Sequence, residues 1–232
     1  RCDALCVLTG AGMSAESGVA TFRGTDGLWS RFNPAELATP EAFARNPRKV
    51  WEWYRLRRQQ LRAAEPHVGH RLLASWEGDV ASFLIVTQNV DGLHQRAGSQ
   101  RVVELHGRLD EVRCTVCGQQ RATLDDLGAD PRCACGGRLR PGVVWFGEML
   151  PPGAFQAAEE AARSCSLMLV IGTSGVVQPA ASLAETARGR GADLVVIDPN
   201  ETALDGLASV CVRLGCGAAL RRIDEAWRRA GS

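Results

Sequence analysis

The stretch Phe83–Gly107, FLIVTQNVDGLHQRAGSQRVVELHG, decides how the rest of the chain is read. It opens on an apolar run, Phe83-Leu84-Ile85-Val86, which has the length of a buried strand. The run breaks into a polar cluster, Thr87-Gln88-Asn89-Val90-Asp91-Gly92. A second short run, Val102-Val103-Glu104-Leu105, delivers His106, with Gly107 directly behind it. Strands that are apolar without alternation are buried on both faces and parallel, and in open α/β sheets ligands bind beyond the carboxyl ends of such strands. Two consecutive strand ends therefore bring amides, a carboxylate and an imidazole to one place.

Similar runs lie on both sides, at Ala4–Leu8, Val143–Phe146, Leu167–Ile171, Leu194–Ile197 and Val210–Leu214. Helix-like stretches at Ala154–Arg163, Ala180–Arg190 and Ala218–Ala230 separate the later ones. This alternation predicts an α/β fold, a parallel sheet with helices on both faces. The first run leads into Gly10-Ala11-Gly12-Met13-Ser14-Ala15, the G-x-G-x-x-A turn of dinucleotide folds. Gly10 permits the tight turn, Gly12 lets amides approach a pyrophosphate, Ala15 allows close helix packing, and the following helix start supplies partial positive charge. The acidic strand end that usually follows such a turn is missing. Instead, Ala20-Thr21-Phe22-Arg23-Gly24 leads into a helical insertion over residues 25–80. Within it, Thr39-Pro40-Glu41 and Asn46-Pro47 read as helix starts. Arg48–Glu65 holds no glycine or proline and reads as one helix stopped by Pro66. Trp76 with Leu72 and Leu73 marks another short helix.

The chain has nine cysteines. Cys2, Cys6, Cys165, Cys211 and Cys216 are scattered, but four cluster as Cys114-x2-Cys117-x15-Cys133-x-Cys135 in a stretch too polar to bury a core. An odd count with one tight cluster points to a reducing compartment and a metal. Four thiolates at this spacing form a closed, structural zinc site, although the short second pair strains the bite at Cys133 and Cys135. The 232 residues, 45% hydrophobic, suffice for one sizeable core plus a satellite module. A net charge of +1 and the lack of a basic aromatic face argue against a nucleic-acid partner. No apolar run approaches a membrane span, and no signal peptide opens the chain. The start at Arg1 suggests a trimmed core or a missing first helix. Of 27 basic residues only Lys49 is a lysine. From this bias a bacterial cytoplasm is expected, with a mitochondrion as the alternative, and the chain is expected to be a monomer. Among four histidines, His106 has the neighbours of a general base, whereas His67, His70 and His94 read as structural. Tyr54 and Arg57, three apart on a predicted helix, share one face.

GAGMSAESGVATFRG, TQNVDGLH, ELHG, the cysteine cluster, LRPGVVWFGE, GTSGVVQPA and a late GCG occur in this order over nearly the whole chain. In this the chain resembles the sirtuins, NAD-dependent protein-lysine deacylases. The resemblance implies a Rossmann-like NAD-binding domain of residues 1–24, 81–107 and 142–232. The insertion 25–80 and a zinc module 108–141 would form a small domain across the active-site cleft. Gly10, Ala11, Gly12, Ser14, Ala15, Glu16 and Thr21 would wrap the pyrophosphate, with Phe22 and Arg23 over the nicotinamide end. Gln88, Asn89 and Asp91 would line the nicotinamide pocket, where Asn89 and Asp91 join His106 as catalytic residues. Gly172, Thr173 and Ser174 would meet the adenosine ribose, and Cys216 the adenine. Asp198, Pro199 and Asn200 follow the next strand, where many relatives begin with Asn.

In that family the sugar–base bond of NAD breaks and the acyl-lysine carbonyl oxygen captures the ribose carbon. His106 would take a ribose hydroxyl proton, giving nicotinamide, free lysine and 2′-O-acyl-ADP-ribose. NAD is thus a co-substrate and zinc is structural. Acyl-lysine proteins or peptides would bind extended between two strand edges, Phe146-Gly147-Glu148 and Gly175-Val176-Val177. The Tyr54-x-x-Arg57 pair is similar to that of the class III branch, which removes acidic acyl groups. Tyr54 and Arg57 would meet a succinyl, malonyl or glutaryl carboxylate, and Ala38 would leave room for it. The expected activity is desuccinylation or demalonylation with weaker deacetylation. Mono-ADP-ribosyl transfer, a hydride-transferring dehydrogenase and a zinc-ribbon interaction module are the rivals.

Overall fold

The computed structural model describes residues 2–22 and 27–230. Its strands are β1 (Ala4–Thr9), β2 (Ser82–Thr87), β3 (Val102–Glu104), β4 (Gly107–Cys114), β5 (Gln120–Ala122), β6 (Leu139–Val143), β7 (Leu167–Ile171), β8 (Asp193–Ile197) and β9 (Val210–Val212). Three short helices open the insertion, α1 (Leu28–Arg31), α2 (Pro34–Leu37) and α3 (Pro40–Arg45), and lead to a long one, α4 (Pro47–Ala63). Then come α5 (Val68–Trp76), α6 (Leu93–Arg96), α7 (Ala154–Ser164), α8 (Ser182–Gly189) and α9 (Cys216–Ala230). Of the insertion's proline-led helices, α3 is capped by the Thr39 hydroxyl and α4 by the Asn46 side chain. No helix among the described residues is long and apolar enough to cross a membrane.

Six strands form one parallel sheet in the order β3-β2-β1-β7-β8-β9. Successive strands step outward from β1 to β3, and then outward the other way from β7 to β9. The order reverses between β1 and β7, which pair in parallel from Leu5–Leu167 to Thr9–Ile171. A crevice for ligands opens at such a switch point. Both faces of the sheet are covered, as the uninterrupted apolar strands require. Cys6 and Leu8 face α7 and α8 through Ala158, Ala162, Leu183 and Ala184. Leu5 and Val7 face the other way, toward Leu73 and Trp76 of α5 and Leu220 of α9. Although α5 falls within the segment read as insertion, it packs on the large sheet.

A second, antiparallel sheet has the order β5-β4-β6. It shares one core with the short helices and α4: Leu109, Val112, Leu139 and Val143 meet Leu37, Phe43, Trp51 and Leu61. Here the sequence reading needs correction. Val143–Phe146 is not a strand of the parallel sheet; the strand is Leu139–Val143 and belongs to the antiparallel one. The run is apolar for separate reasons. Val143 lies in the small core, Trp145 is buried on the Tyr54 and Phe43 rings, and Phe146 is exposed.

The turn after β1 also differs from expectation. Ala11–Ser17 is a 3-10 helix, ended by Gly18 at φ +80°. Gly12 N–H donates to Gly172 O at 2.8 Å, so two loop backbones touch. A Cβ on Gly12 would lie 2.7 Å from Gly172 Cα, and one on Gly172 would lie 2.3 Å from Met13 N. Gly172 also sits at φ +62°. The glycines are therefore required first by each other, before any ligand. Gly18→Ala, with strained φ but no atom within 4 Å, is expected to cost only the left-handed penalty, about 1–2 kcal/mol. Gly172→Ala adds a backbone collision and is expected to cost clearly more than about 2 kcal/mol. Urea unfolding of the two variants measures the difference, and equal losses would contradict the contact.

Candidate functional site

A cleft of about 1030 Å³ runs along the carboxyl ends of β1, β2 and β7 and under the small sheet. One wall is the glycine turn with Gly10, Ala11, Gly12, Ala15, Glu16, Thr21 and Phe22. The floor carries Gln88, Asn89 and His106, and the far end carries Gly172, Thr173, Ser174, Asp198, Pro199, Asn200 and Cys216. From the opposite side come Ala38, Tyr54 and Arg57, with Phe146, Gly147 and Glu148. Ser14, Gly175 and Val176 do not line it, and Arg23 lies outside the described residues.

His106 occupies the turn between β3 and β4, so it bridges the two sheets. Its Nδ1 lies 3.0 Å from Gln88 O. A carbonyl only accepts, which puts the proton on Nδ1 and leaves Nε2 with a lone pair. Burial holds the ring below its ordinary pKa, opposed by the Gln88 carbonyl, and keeps it neutral. Gln88 Nε2 donates to Thr173 Oγ1 at 3.1 Å, tying β2 to the β7 loop.

Asn89 Nδ2 donates to Gly10 O at 2.9 Å and to Ser14 Oγ at 3.1 Å. Ser14 in turn donates to Asp91 Oδ2 at 2.7 Å, and Leu93 N–H donates to Asp91 Oδ1 at 3.0 Å. Asp91 does not reach the main cleft. It lines a small adjoining cavity with Ala11, Phe22, Arg57 and Asn89. Burial holds its carboxyl above the usual range, against the Leu93 and Ser14 hydrogen bonds. At the far end, Glu16 accepts from Gly217 N–H at 2.8 Å in the first turn of α9. The Cys216 thiol points at Gly12 O, 3.5 Å away, and burial pushes it up to about 12. Asp198 accepts from Asn200 N–H at 2.9 Å, so its side chain shapes its own loop.

The two expected strand edges are not strands. Phe146 and Gly147 form a turn, and no residue of 175–177 is in a strand. Phe146 N–H already donates to Ala38 O at 3.0 Å, and Glu148 N–H to Trp145 O. The Glu148 side chain is held by Arg140 and by Trp145 N–H. It organises the loop.

Tyr54 and Arg57 share a face of α4, where the sequence missed most of their setting. The Arg57 guanidinium lies 4.8 Å from the Phe22 ring centroid, 4.9 Å from Trp53 and 5.6 Å from Tyr54. Trp29 stacks on Trp53 at 5.5 Å. Trp145 Nε1–H donates to Tyr54 Oη at 2.9 Å, leaving the phenol hydrogen available. Burial lowers the pKa of Arg57, opposed by Tyr54 and Asp91. Among the described residues no carboxylate lies within 4 Å of it. The position of Trp53, four residues before Arg57, was readable as the same helix face. Trp29 and Trp145 come from distant segments and gave no local signal.

Away from the cleft, the four cysteine sulfurs gather within 4.8 Å of one another. Cys114–Cys135 and Cys117–Cys133 are 3.5 and 3.7 Å apart. Tetrahedral zinc with Zn–S bonds near 2.3 Å requires sulfurs about 3.8 Å apart, so the site fits the ion, with the short C-x-C pair included.

With this geometry in hand, comparison with known proteins is decisive. Residues 10–179 match the model of the Sir2 family. The chain belongs to the Sir2 family. It is 49% identical over 224 residues to the NAD-dependent protein deacylase of Aquifex aeolicus, covering 94% of this chain and 93% of that one. The solved Sir2 homologue in complex with NAD superposes with a TM-score of 0.93 at 45% identity, covering 100% and 92%. A Sir2 protein solved with a deacetylated p53 peptide and 3′-O-acetyl-ADP-ribose gives 0.92 at 32% identity, covering 97% and 94%.

Two outcomes follow for this member. Cys117→Ser should lose the bound zinc measured by metal analysis and lower the melting temperature, because the small sheet's hairpins converge on those sulfurs. Acid should destabilise the fold before the carboxylates titrate. Burial pushes His94 down to about 4 and His70 to about 2. The unfolded chain takes up protons at these rings near pH 6.5 and the fold does not. Stability is therefore highest above that pH and falls as pH drops from 6.5 toward 5, by up to about 1.4 kcal/mol per pH unit for each ring. Urea unfolding across this window checks the slope, and a flat profile would contradict two buried neutral imidazoles.

Proposed function

We propose that this chain is an NAD-dependent protein-lysine deacylase whose acyl pocket takes acidic acyl groups, succinyl or malonyl before acetyl. The deacylase reading is carried by His106, a neutral imidazole with its Nε2 lone pair free, in a cleft walled by the glycine turn. Bound NAD supplies an electrophilic ribose carbon once its nicotinamide bond is broken. Ala11 N–H has no partner among the described residues and lines the cleft, so it is available to an anionic oxygen. Asn89 Oδ1 is likewise free, and the small cavity beyond it, with Asp91, has the polarity to take a carboxamide. His106 Nε2 would accept the ribose hydroxyl proton as general base, and the Gln88 carbonyl would stabilise the resulting cation. The acylated lysine would enter as part of an extended peptide between the Phe146 turn and the Gly175 segment. That requires those segments to straighten on binding.

Arg57 carries the acyl preference. It is a guanidinium on the pocket wall with aromatic neighbours and, among the described residues, no carboxylate within 4 Å, next to a phenol whose hydrogen is free. A carboxylate at the acyl terminus meets both, and a hydrogen bond to a charged partner is worth about 1.5–3 kcal/mol. Ala38, at the pocket wall, leaves length for it.

The test is turnover of succinyl-, malonyl- and acetyl-lysine peptides with NAD, read by mass. The wild type should prefer the acidic acyl groups and release acyl-ADP-ribose. Arg57→Met should lower turnover of the acidic substrates roughly tenfold to a hundredfold while sparing acetyl. His106→Tyr should abolish all three. If acetyl wins in the wild type and Arg57→Met changes nothing, the acyl assignment fails; if His106→Tyr stays active, the base assignment fails.

A further inference from the structure

Three histidines outside that reaction meet beside the glycine turn. His67, His70 and His94 stack edge to face, with ring centroids 4.4 and 4.9 Å apart. His70 and His94 are fully buried. His94 Nε2 lies 3.1 Å from Thr9 Oγ1. Thr9 Oγ1 donates to Thr87 Oγ1 at 2.8 Å, and Thr87 Oγ1 receives the Asn89 backbone N–H at 3.0 Å. The direction of the chain follows from the Thr9–Thr87 bond: the single Thr9 hydrogen goes to Thr87, so Thr9 Oγ1 is left to accept from His94. His94 therefore carries its proton on Nε2. Its Nδ1 has no hydrogen-bond partner among the described residues, as suits a bare lone pair.

We propose that His94, as the neutral Nε2–H tautomer, is a positioning residue for the reaction, aiming Asn89 through Thr9 and Thr87. The proposal rests on the deacylase reading above for its catalytic consequence. The relay pins the Asn89 backbone, and the pinned side chain reaches Gly10 O and Ser14 Oγ. Ser14 passes the constraint to Asp91, which accepts the N–H of Leu93, the residue before His94. The network closes on itself across β1, β2 and α6. Every member has one orientation, so loss of the His94 donor frees Thr9 to rotate and removes the oriented acceptor from Asn89. Asn89, which lines the cleft, is then held by its side-chain amide alone and is less precisely aimed. A leucine fills the volume of the ring without donating. A glutamine places an amide N–H close to where Nε2–H sits and restores the relay.

The experiment compares wild type, His94→Leu, His94→Gln and Thr9→Val. In His94→Leu and in Thr9→Val, kcat for NAD-dependent deacylation and the rate of nicotinamide exchange should fall about tenfold. KM for the acyl-peptide should change by less than about twofold, because the relay touches no part of the peptide. His94→Gln should recover most of the loss, and the double variant should be no worse than either single one, as for two links of one chain. Two readouts need no turnover. The nitrogen shifts of the wild-type His94 ring should report Nε2–H, and the Asn89 amide should exchange slowly in wild type and His94→Gln but faster in His94→Leu. A Nδ1–H tautomer, a His94→Gln variant as impaired as His94→Leu, or an unchanged Asn89 amide in His94→Leu would overturn the proposal. A wild type inactive on every acyl-peptide would instead sink the deacylase reading, while the ring tautomer and the Asn89 amide still decide whether the relay exists.

Discussion

The ligand side of this molecule depends on one contact between bare backbones, Gly10–Gly12 against Gly172–Thr173. At the switch point β1 and β7 are neighbours, but their crossovers leave in opposite directions, so the loops after them diverge and open a crevice. The glycine contact closes the bottom of that crevice. Gly10 N–H bonds to Ile171 O at 3.0 Å, and Gly12 N–H to Gly172 O at 2.8 Å, so the two loops form one sheet-end surface. Asn89, Gln88 and Cys216 then attach to this surface through Gly10 O, Thr173 Oγ1 and Gly12 O. A side chain at Gly10 or Gly12 would part the loops and lose all three attachments together.

The second constraint is covalent. Only Leu105 and His106 separate β3, the edge of the parallel sheet, from β4 in the antiparallel one. Leu105 is fully buried in the core under α7 and α8. His106 O accepts from Val144 N–H at 2.8 Å, on the return segment of the small sheet. The ring, meanwhile, is held by Gln88 of the β2 loop. His106 is thus anchored by both sheets at the one place where they are continuous. A side chain proposed to meet both a bound dinucleotide and a peptide has few better positions, because its location does not depend on a flexible linker.

The parallel sheet was legible because strands buried on both faces appear as unbroken apolar runs, and helix starts were legible because Thr39-Pro40 and Asn46-Pro47 carry their caps locally. What failed was non-local. Val143–Phe146 has the composition of a buried strand, yet its residues are buried, or exposed, for unrelated reasons. The turn after β1 carries the glycine pattern but not the α-helix, because Gly18 ends it within seven residues. Asp91 joins Asn89 through Ser14, but its carboxylate is held by Leu93 N–H and Ser14 and does not line the main cleft. The three histidines outside the cleft read as structural because nothing in His67, His70 and His94 shows that Thr9 and Thr87, on two different strands, will complete a hydrogen-bonded chain.

The contrast between two arginines bears most directly on what the pocket takes. Arg140 and Arg57 both lie against aromatic rings near Trp145 and Tyr54. Arg140 sits 3.5 Å from the Trp145 ring centroid and is also paired with Glu148. The fold has therefore met the cost of burying one guanidinium in the usual way, with an anion from its own chain. Arg57 has three rings and, among the described residues, no such anion. Ring faces offset part of the desolvation of a cation, about 2 kcal/mol or somewhat more in a dry site, and the Asp91 carboxylate acts on it only at a distance. A neutral side chain on this face of α4 would have avoided that deficit. An arginine kept there, beside a phenol with a free hydrogen, makes energetic sense if the counter-charge arrives with the ligand, which is the role proposed for the acyl carboxylate.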